Sequence, residues 1–191
     1  DMTKKRVAVL ISGRGSNLQA LLDARQDAYD IALVVSNVPS AGGLDLARAA
    51  GVEAIALDHK PFGKDREAFE RELNAVLTAR SIEIVALAGF MRVLTPYFVR
   101  AWAGRLVNIH PSLLPKYPGI NTHARALDAG ESEHGCTVHL VVEEVDSGEI
   151  LGQARMPIET GDTPETLAER VLTLEHELYP RCLAALARKS A

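Results

Sequence analysis

Short apolar, β-branched runs recur along the chain, with helix-patterned stretches between them. Residues 6–12 hold Val7, Ala8, Val9, Leu10 and Ile11 without interruption, which reads as a strand buried on both faces. Residues 31–36, 52–57, 83–88 and 105–109 read as further strands. Between them, residues 18–22 are helical by composition and residues 42–50 form a short helix stopped by Gly51. Residues 64–80 place Phe69, Leu73, Val76 and Leu77 at helical spacing, so that stretch is an amphipathic helix. Thr95 and Pro96 open another helix, as N-cap and first position. Strands alternating with helices predict a parallel sheet covered on both faces.

The pattern changes after residue 115. Residues 116–121 are rich in proline and glycine, and residues 122–129 form a short helix. Residues 136–142 and 149–158 read as strands; the short polar connection 143–148, closing on Gly148, predicts an antiparallel hairpin. Thr163, Pro164 and Glu165 mark a helix start, and Leu167, Val171, Leu174 and Leu178 give that last helix one apolar stripe. The expected fold is α/β: a doubly wound, mostly parallel, Rossmann-like sheet with a C-terminal antiparallel hairpin and a long final helix. It is expected as a single domain over residues 1–191, with an N-terminal half of about 6–105 and a C-terminal half of about 106–188.

Composition narrows the partners. With 191 residues, 47% of them hydrophobic, the chain can fill one full core. A net charge of -4 and the lack of a dense Lys/Arg run predict no nucleic acid partner. The apolar runs are too short to span a bilayer, so no membrane partner is expected either. Cys136 and Cys182 are the only cysteines, which argues against a disulfide framework and for a reducing compartment. Asp1 ahead of Met2 reads as an added residue, and no signal-peptide pattern opens the chain. A cytoplasmic location follows as an expectation.

Two stretches carry candidate chemistry. Gly13, Arg14, Gly15, Ser16 and Asn17 join the first strand to a helix. A glycine-rich turn there presents unpaired backbone N–H groups to an anion. Gly15 allows close approach, and Ser16 and Asn17 add side-chain donors or, alternatively, cap the helix. Leu18 stands where a dinucleotide fingerprint needs glycine, and Asn37 follows the second strand where that fingerprint needs an acid. No Walker pattern is present, so a monophosphate is the expected ligand. The second stretch is Asn108-Ile109-His110-Pro111-Ser112-Leu113-Leu114-Pro115. Asn108 and His110 are two apart, so in an extended segment both leave the same face. Pro111 and Pro115 stiffen the turn that follows. No recognised metal-ligand spacing links His134, Cys136 and His139, so no metal is expected.

The octapeptide of residues 108–115 resembles the signature of the folate-dependent formyltransferases. The extension Lys116-Tyr117-Pro118-Gly119 is similar to the branch that acts on glycinamide ribonucleotide. The likeness runs from Arg6 to about Leu186 and is strongest at residues 13–17, 89–92, 108–119, 135–139 and 146–148. It implies a transferase of purine biosynthesis, moving a formyl group from 10-formyltetrahydrofolate as co-substrate to the ribonucleotide amine, with no metal. It implies Asn108, His110 and Asp146 as catalytic residues, with Thr137 and His139 beside them. The ribonucleotide is implied to meet Gly15, Ser16, Asn17 and Glu175. The folate is implied to meet Arg66, Met91, Arg92, Val93, Leu94, Val141 and Val142, with backbone groups of Arg92 and Leu94 bonding the pterin. Taken alone, Arg66 and Glu175 read as solvated helix charges, Met91 and Leu94 as core filling, and Asp146 as an ordinary turn residue. His59, His123 and His176 read as structural or exposed.

The residue types suit the reaction. Amine attack on a formyl carbon puts negative charge on oxygen, and donors aimed at that oxygen lower the barrier. Asn108 donates at any pH, His110 donates best when protonated, and a nearby carboxylate favours the charged form of an imidazole. Asp146 can receive the amine's proton, directly or through water. Glu149 stands where many family members have proline, which bears on the turn beside Asp146. A transferase acting on methionyl-tRNA shares the Asn/His/Asp set, but it carries a further basic domain. The alternatives kept open are a formyltetrahydrofolate hydrolase and a non-catalytic nucleotide-binding module. A monomer or a homodimer is expected.

Overall fold

A computed structural model describes residues 4–25 and 28–189; Asp1 and Met2 lie outside them. Seven strands form one sheet in the order β3-β2-β1-β4-β5-β6-β7. The strands are β1 (Lys5–Ile11), β2 (Tyr29–Ser36), β3 (Glu53–Ala56), β4 (Ile84–Leu87), β5 (Leu106–His110), β6 (Glu133–Leu140) and β7 (Ile150–Pro157). Pairing is parallel from β3 through β5, then antiparallel for β5–β6 and β6–β7. The mixed sheet and the hairpin match the sequence pattern.

Strand β1 explains why a continuous apolar run was needed. Val7, Val9 and Ile11 face one core with the helices α1 (Ser16–Asp23), α2 (Gly42–Ala49) and α6 (Pro164–Lys189). Ala8 and Leu10 face a second core with α3 (Arg66–Ala79) and α4 (Pro96–Ala101), where Phe69, Leu73, Phe98 and Trp102 are buried. Both faces are covered from Val7 to Ile11, so each of those positions is apolar. The chain runs from β1 outward to β3 and returns to pair β4 on the other side of β1. That reversal leaves a crevice at the carboxyl ends of β1 and β4, where ligands of such sheets bind.

Beyond that crevice β5 pairs with β4 only at Val85↔Leu106 and Ala86↔Val107. Where this pairing ends, the buried Tyr179 of α6 donates its hydroxyl to the carbonyl of Leu87, 2.7 Å away, with that of Val107 at 3.2 Å. Asn108 and His110 thus project past β4.

Two local details differ from the sequence pattern. Strand β6 begins at Glu133, earlier than residue 136, because Glu133, His134 and Gly135 pair with Pro157, Met156 and Arg155. Gly135 permits this close pairing: a Cβ there would fall 1.9 Å from the Ala154 carbonyl oxygen. Thr95 sits at the N-cap of α4 but makes no side-chain cap bond. Its N–H and hydroxyl both donate to the buried Glu70 carboxylate instead.

Candidate active site

The glycine loop and the loop after β4 meet at the crevice. Gly15 takes φ +71°, a left-handed conformation suited to glycine, and α1 starts at the next residue with no side-chain cap. Its first N–H groups therefore lack a side-chain acceptor at the cap. Asn17 does not cap the helix. It donates from Nδ2 to Oε1 of Glu175 at 2.8 Å, tying α1 to α6. Glu175 is 8% exposed, so it is not a surface charge, and burial raises its carboxyl pKa against the lowering effect of the Asn17 bond. Ser12 links the two loops: its hydroxyl lies 2.5 Å from Asn37 Oδ1 and accepts from the Met91 N–H at 2.7 Å.

The antiparallel register fixes the second half of the site. Asn108 lies opposite His139 and His110 opposite Thr137, so the four share one face of the β5–β6 ladder. His110 Nε2 donates to the Tyr117 carbonyl at 2.8 Å, since a carbonyl can only accept. That leaves His110 Nδ1 toward Asp146, 3.6 Å from Oδ2. Asp146 adopts φ +53° in the β6–β7 loop, and its Oδ2 accepts from the Gly119 N–H at 2.8 Å. The loop before α5 (Thr122–Asp128) thus touches both His110 and Asp146.

His139 contributes an acceptor. Its Nδ1 donates to the Leu140 carbonyl at 3.0 Å, and burial holds its pKa below the usual histidine value, with bonding to Leu140 and the Asp146 charge opposing. Its bare Nε2 is buried without a hydrogen-bond partner, 3.9 Å from Asp146 Oδ1.

Exposed apolar side chains stand on the loops after β4 and β6. Met91 is 81% exposed, Val93 64% and Val142 42%, which rules out core filling for Met91. Leu94 and Val141 pack against the second core, and Arg92 lies over the Phe69 ring. Ile120 and Val145 add exposed apolar surface on the neighbouring loops. An apolar ring system with a polar edge suits such a wall.

Residues 5–183 match the family model described as formyl transferase. This chain belongs to the formyl transferase family. It is 51% identical over 193 residues to the trifunctional purine biosynthetic protein adenosine-3 of Drosophila melanogaster, covering 98% of this chain and 14% of that protein. The chain therefore spans about one seventh of that relative's length. It is 46% identical over 184 residues to the phosphoribosylglycinamide formyltransferase of Escherichia coli K12, covering 95% of this chain and 86% of that protein. The solved phosphoribosylglycinamide formyltransferase of Brucella melitensis superposes with a TM-score of 0.91 at 48% identity, covering 96% of each chain. That of Coxiella burnetii, in complex with CHES, gives 0.91 at 46%, covering 97% of this chain and 88% of the other.

Within this family member the fold gathers most of the residues expected from sequence. His110, Asp146 and His139 converge, with Asn108 on the same face. Gly15, Ser16, Asn17 and Glu175 form a second group. Thr137 is buried, and its hydroxyl donates to the Ser112 carbonyl at 2.7 Å, so it supports the turn after His110. Arg66 stands apart: it lines a shallow depression of about 600 Å³ with Lys64, Arg71 and Thr95, at the far end of the 89–95 loop. Sequence reading missed Ser12, Ser112, Tyr117 and Gly119, all of which act through backbone groups or on them. His123, expected to be structural or exposed, and His134, weighed only as a metal ligand, face each other with Nδ1 and Nε2 3.0 Å apart. Among the described residues no group of three or more His, Cys, Asp or Glu is placed to hold a metal, and no helix is long and apolar enough to cross a membrane.

Proposed function

We propose that this chain transfers a formyl group from 10-formyltetrahydrofolate to the amine of glycinamide ribonucleotide, a step of purine biosynthesis, in the cytoplasm and as a single domain. The observation that carries the reading is the convergence of His110 and Asp146 beside Asn108, at the open end of β5. The extent of likeness to the Escherichia coli enzyme supports the choice of substrate.

The ribonucleotide phosphate lies on the N–H groups at Gly15, Ser16 and Asn17, and Glu175 takes the ribose hydroxyls. The folate lies against Met91 to Leu94 and the Val141–Val142 side, its glutamate end reaching Arg66. The amine nitrogen attacks the formyl carbon, and the carbonyl pair moves onto oxygen. Asn108 and a protonated His110 Nδ1 donate to that oxygen. Asp146 receives the amine proton, directly or through water, and the bare Nε2 of His139 orients the amine's remaining N–H. Collapse breaks the bond to the folate nitrogen, which takes up a proton as it leaves.

The test is consumption of 10-formyltetrahydrofolate by the purified chain, with and without glycinamide ribonucleotide. Turnover that requires the amine and yields formylated ribonucleotide supports the reading. Formate release without the amine would make the chain a hydrolase, and tight binding without turnover a nucleotide-binding module.

A further inference from the structure

We infer that Ser112 is a positioning residue for the reaction, setting which nitrogen of His110 carries the reacting proton by holding the Tyr117 carbonyl in place. The inference rests on the function proposed above. Ser112 is fully buried, and its hydroxyl donates to the Lys116 carbonyl at 2.6 Å, with the Tyr117 carbonyl at 3.1 Å. The single O–H is thus shared between two consecutive carbonyls, with the shorter arm on Lys116 and the longer on Tyr117. The second of them is the acceptor of His110 Nε2–H.

The consequence is chemical. With Nε2 committed as a donor, Nδ1 is the position at which the ring gains or loses a proton without breaking that bond. Nδ1 is also the nitrogen that faces Asp146, at 3.6 Å, too far for a direct bond and close enough to act on the same substrate atoms. Were the Tyr117 carbonyl to turn away, the Nδ1–H tautomer would compete, and a neutral ring would present a bare Nε2 where a donor is held now.

The backbone does not adopt this arrangement by default. Tyr117 has φ +53°, a left-handed conformation uncommon outside glycine, so its carbonyl needs holding. Ser112 is itself fixed. Its N–H bonds the His110 carbonyl at 2.9 Å and its carbonyl accepts from Thr137 Oγ1. Thr137 Oγ1 in turn accepts from the Leu114 N–H and from Gln153 Nε2. The chain of bonds runs from β7 through β6 to the catalytic ring, with Ser112 as its last side chain. Tyr117 has a separate tether, its hydroxyl on Glu131 Oε2 at 2.6 Å, which fastens the loop without touching the carbonyl.

The experiment combines kinetics with ¹⁵N NMR of labelled histidine, His110 being assigned by its loss in His110→Asn. In the unmutated protein at alkaline pH, the neutral His110 ring shows the Nε2–H tautomer; an Nδ1–H tautomer overturns the inference whatever any variant does. Ser112→Ala, which only removes an oxygen, shifts the ring toward a tautomer mixture. It lowers kcat by ~10- to 100-fold, the range that small misplacement of a catalytic group produces, while both KM values stay within about twofold. Glu131→Ala, which cuts the Tyr117 hydroxyl's tether from outside the site, leaves tautomer and kcat near those of the unmutated protein. If Ser112→Ala leaves the tautomer unchanged, or Glu131→Ala reproduces the kcat loss, the hydroxyl merely stiffens the loop and the inference fails. The ring measurement needs no substrate, so it stands or falls apart from the formyl-transfer assay.

Discussion

Replacing Asp146 by asparagine removes one charge and, with it, one proton acceptor, while the loop geometry is kept. The Asp146 carboxylate accepts from the Gly119 N–H, and an asparagine oxygen can keep that bond. Asn also tolerates the left-handed conformation at φ +53° as Asp does. The loop anchor and the turn therefore survive, while the charge and the proton acceptor it provides are lost together. Its size follows from geometry: a protonated His110 and an ionised Asp146 at 3.6 Å attract by about 5 kcal/mol at an effective dielectric near 20, and by about 1 kcal/mol in bulk water. The two side chains are 7% and 9% exposed, which places the pair nearer the first figure, while the open crevice draws it down. About 2–3 kcal/mol is the resulting expectation, or ~30- to 150-fold in turnover. Asp146→Asn should lower kcat by at least that factor, since the proton acceptor goes with the charge, and change either KM little, because both serve the developing transition state. In a double-mutant cycle, adding His110→Asn should cost far less than it does alone, since the first change has already removed the partner. Turnover numbers of the four proteins, with folding verified by circular dichroism, are the assay. If the two losses multiply, the pair does not act as a unit and the electrostatic reasoning is wrong.

Three further outcomes follow from other parts of the structure. Asn17→Ala should raise KM for glycinamide ribonucleotide and leave that for the folate unchanged, as it frees Glu175 and unsettles the start of α1; the reverse pattern would reassign the loop. Gly135→Ala should destabilise the fold by about 2–3 kcal/mol in urea unfolding, as a Cβ would collide with the Ala154 carbonyl; a loss below ~0.5 kcal/mol would mean that β6 and β7 are not in this register. His134 is 1% exposed, and burial, aided by His123, lowers its pKa to about 4. Between about pH 6.5 and pH 4 the unfolded chain binds a proton that the folded chain does not. Stability from this group is therefore complete above about pH 6.5 and falls by about 3 kcal/mol as the pH drops toward 4. Urea midpoints measured across that range should show the fall, and His134→Gln should flatten it; an equal slope in both proteins would exclude His134 as its source.

The parallel half was legible because each buried strand has to be apolar on both faces, as Val7 to Ile11 are. The pairing of Asn108 with His110 on one face was legible because strand periodicity fixes it. The Gly15 turn was legible because its conformation favours glycine. What escaped reading depends on partners far along the chain. Glu175 looked like a surface charge beside an apolar stripe; its burial is tolerated because Asn17, from the other end of the sequence, bonds it. Ser112 and Gly119 contribute through carbonyl and N–H directions, and those depend on the backbone angle at Tyr117 and on loop closure, not on any side-chain pattern. Thr95 occupied its predicted position, yet its hydroxyl answered to Glu70, whose burial no local window reveals.

The hydroxyl of Tyr179 between the carbonyls of Leu87 and Val107 bears on what a shortened chain would lose. Burial keeps that phenol neutral, so it remains a donor at any physiological pH. Strands β4 and β5 stop pairing where it sits, one strand over from the β1–β4 crevice. A hydroxyl on the last helix therefore ties the ends of two strands from the middle of the chain, and Asn108 and His110 follow directly on one of them. A chain cut short of Tyr179 would keep Asn108, His110 and Asp146 and lose the tie that fixes where β5 leaves β4.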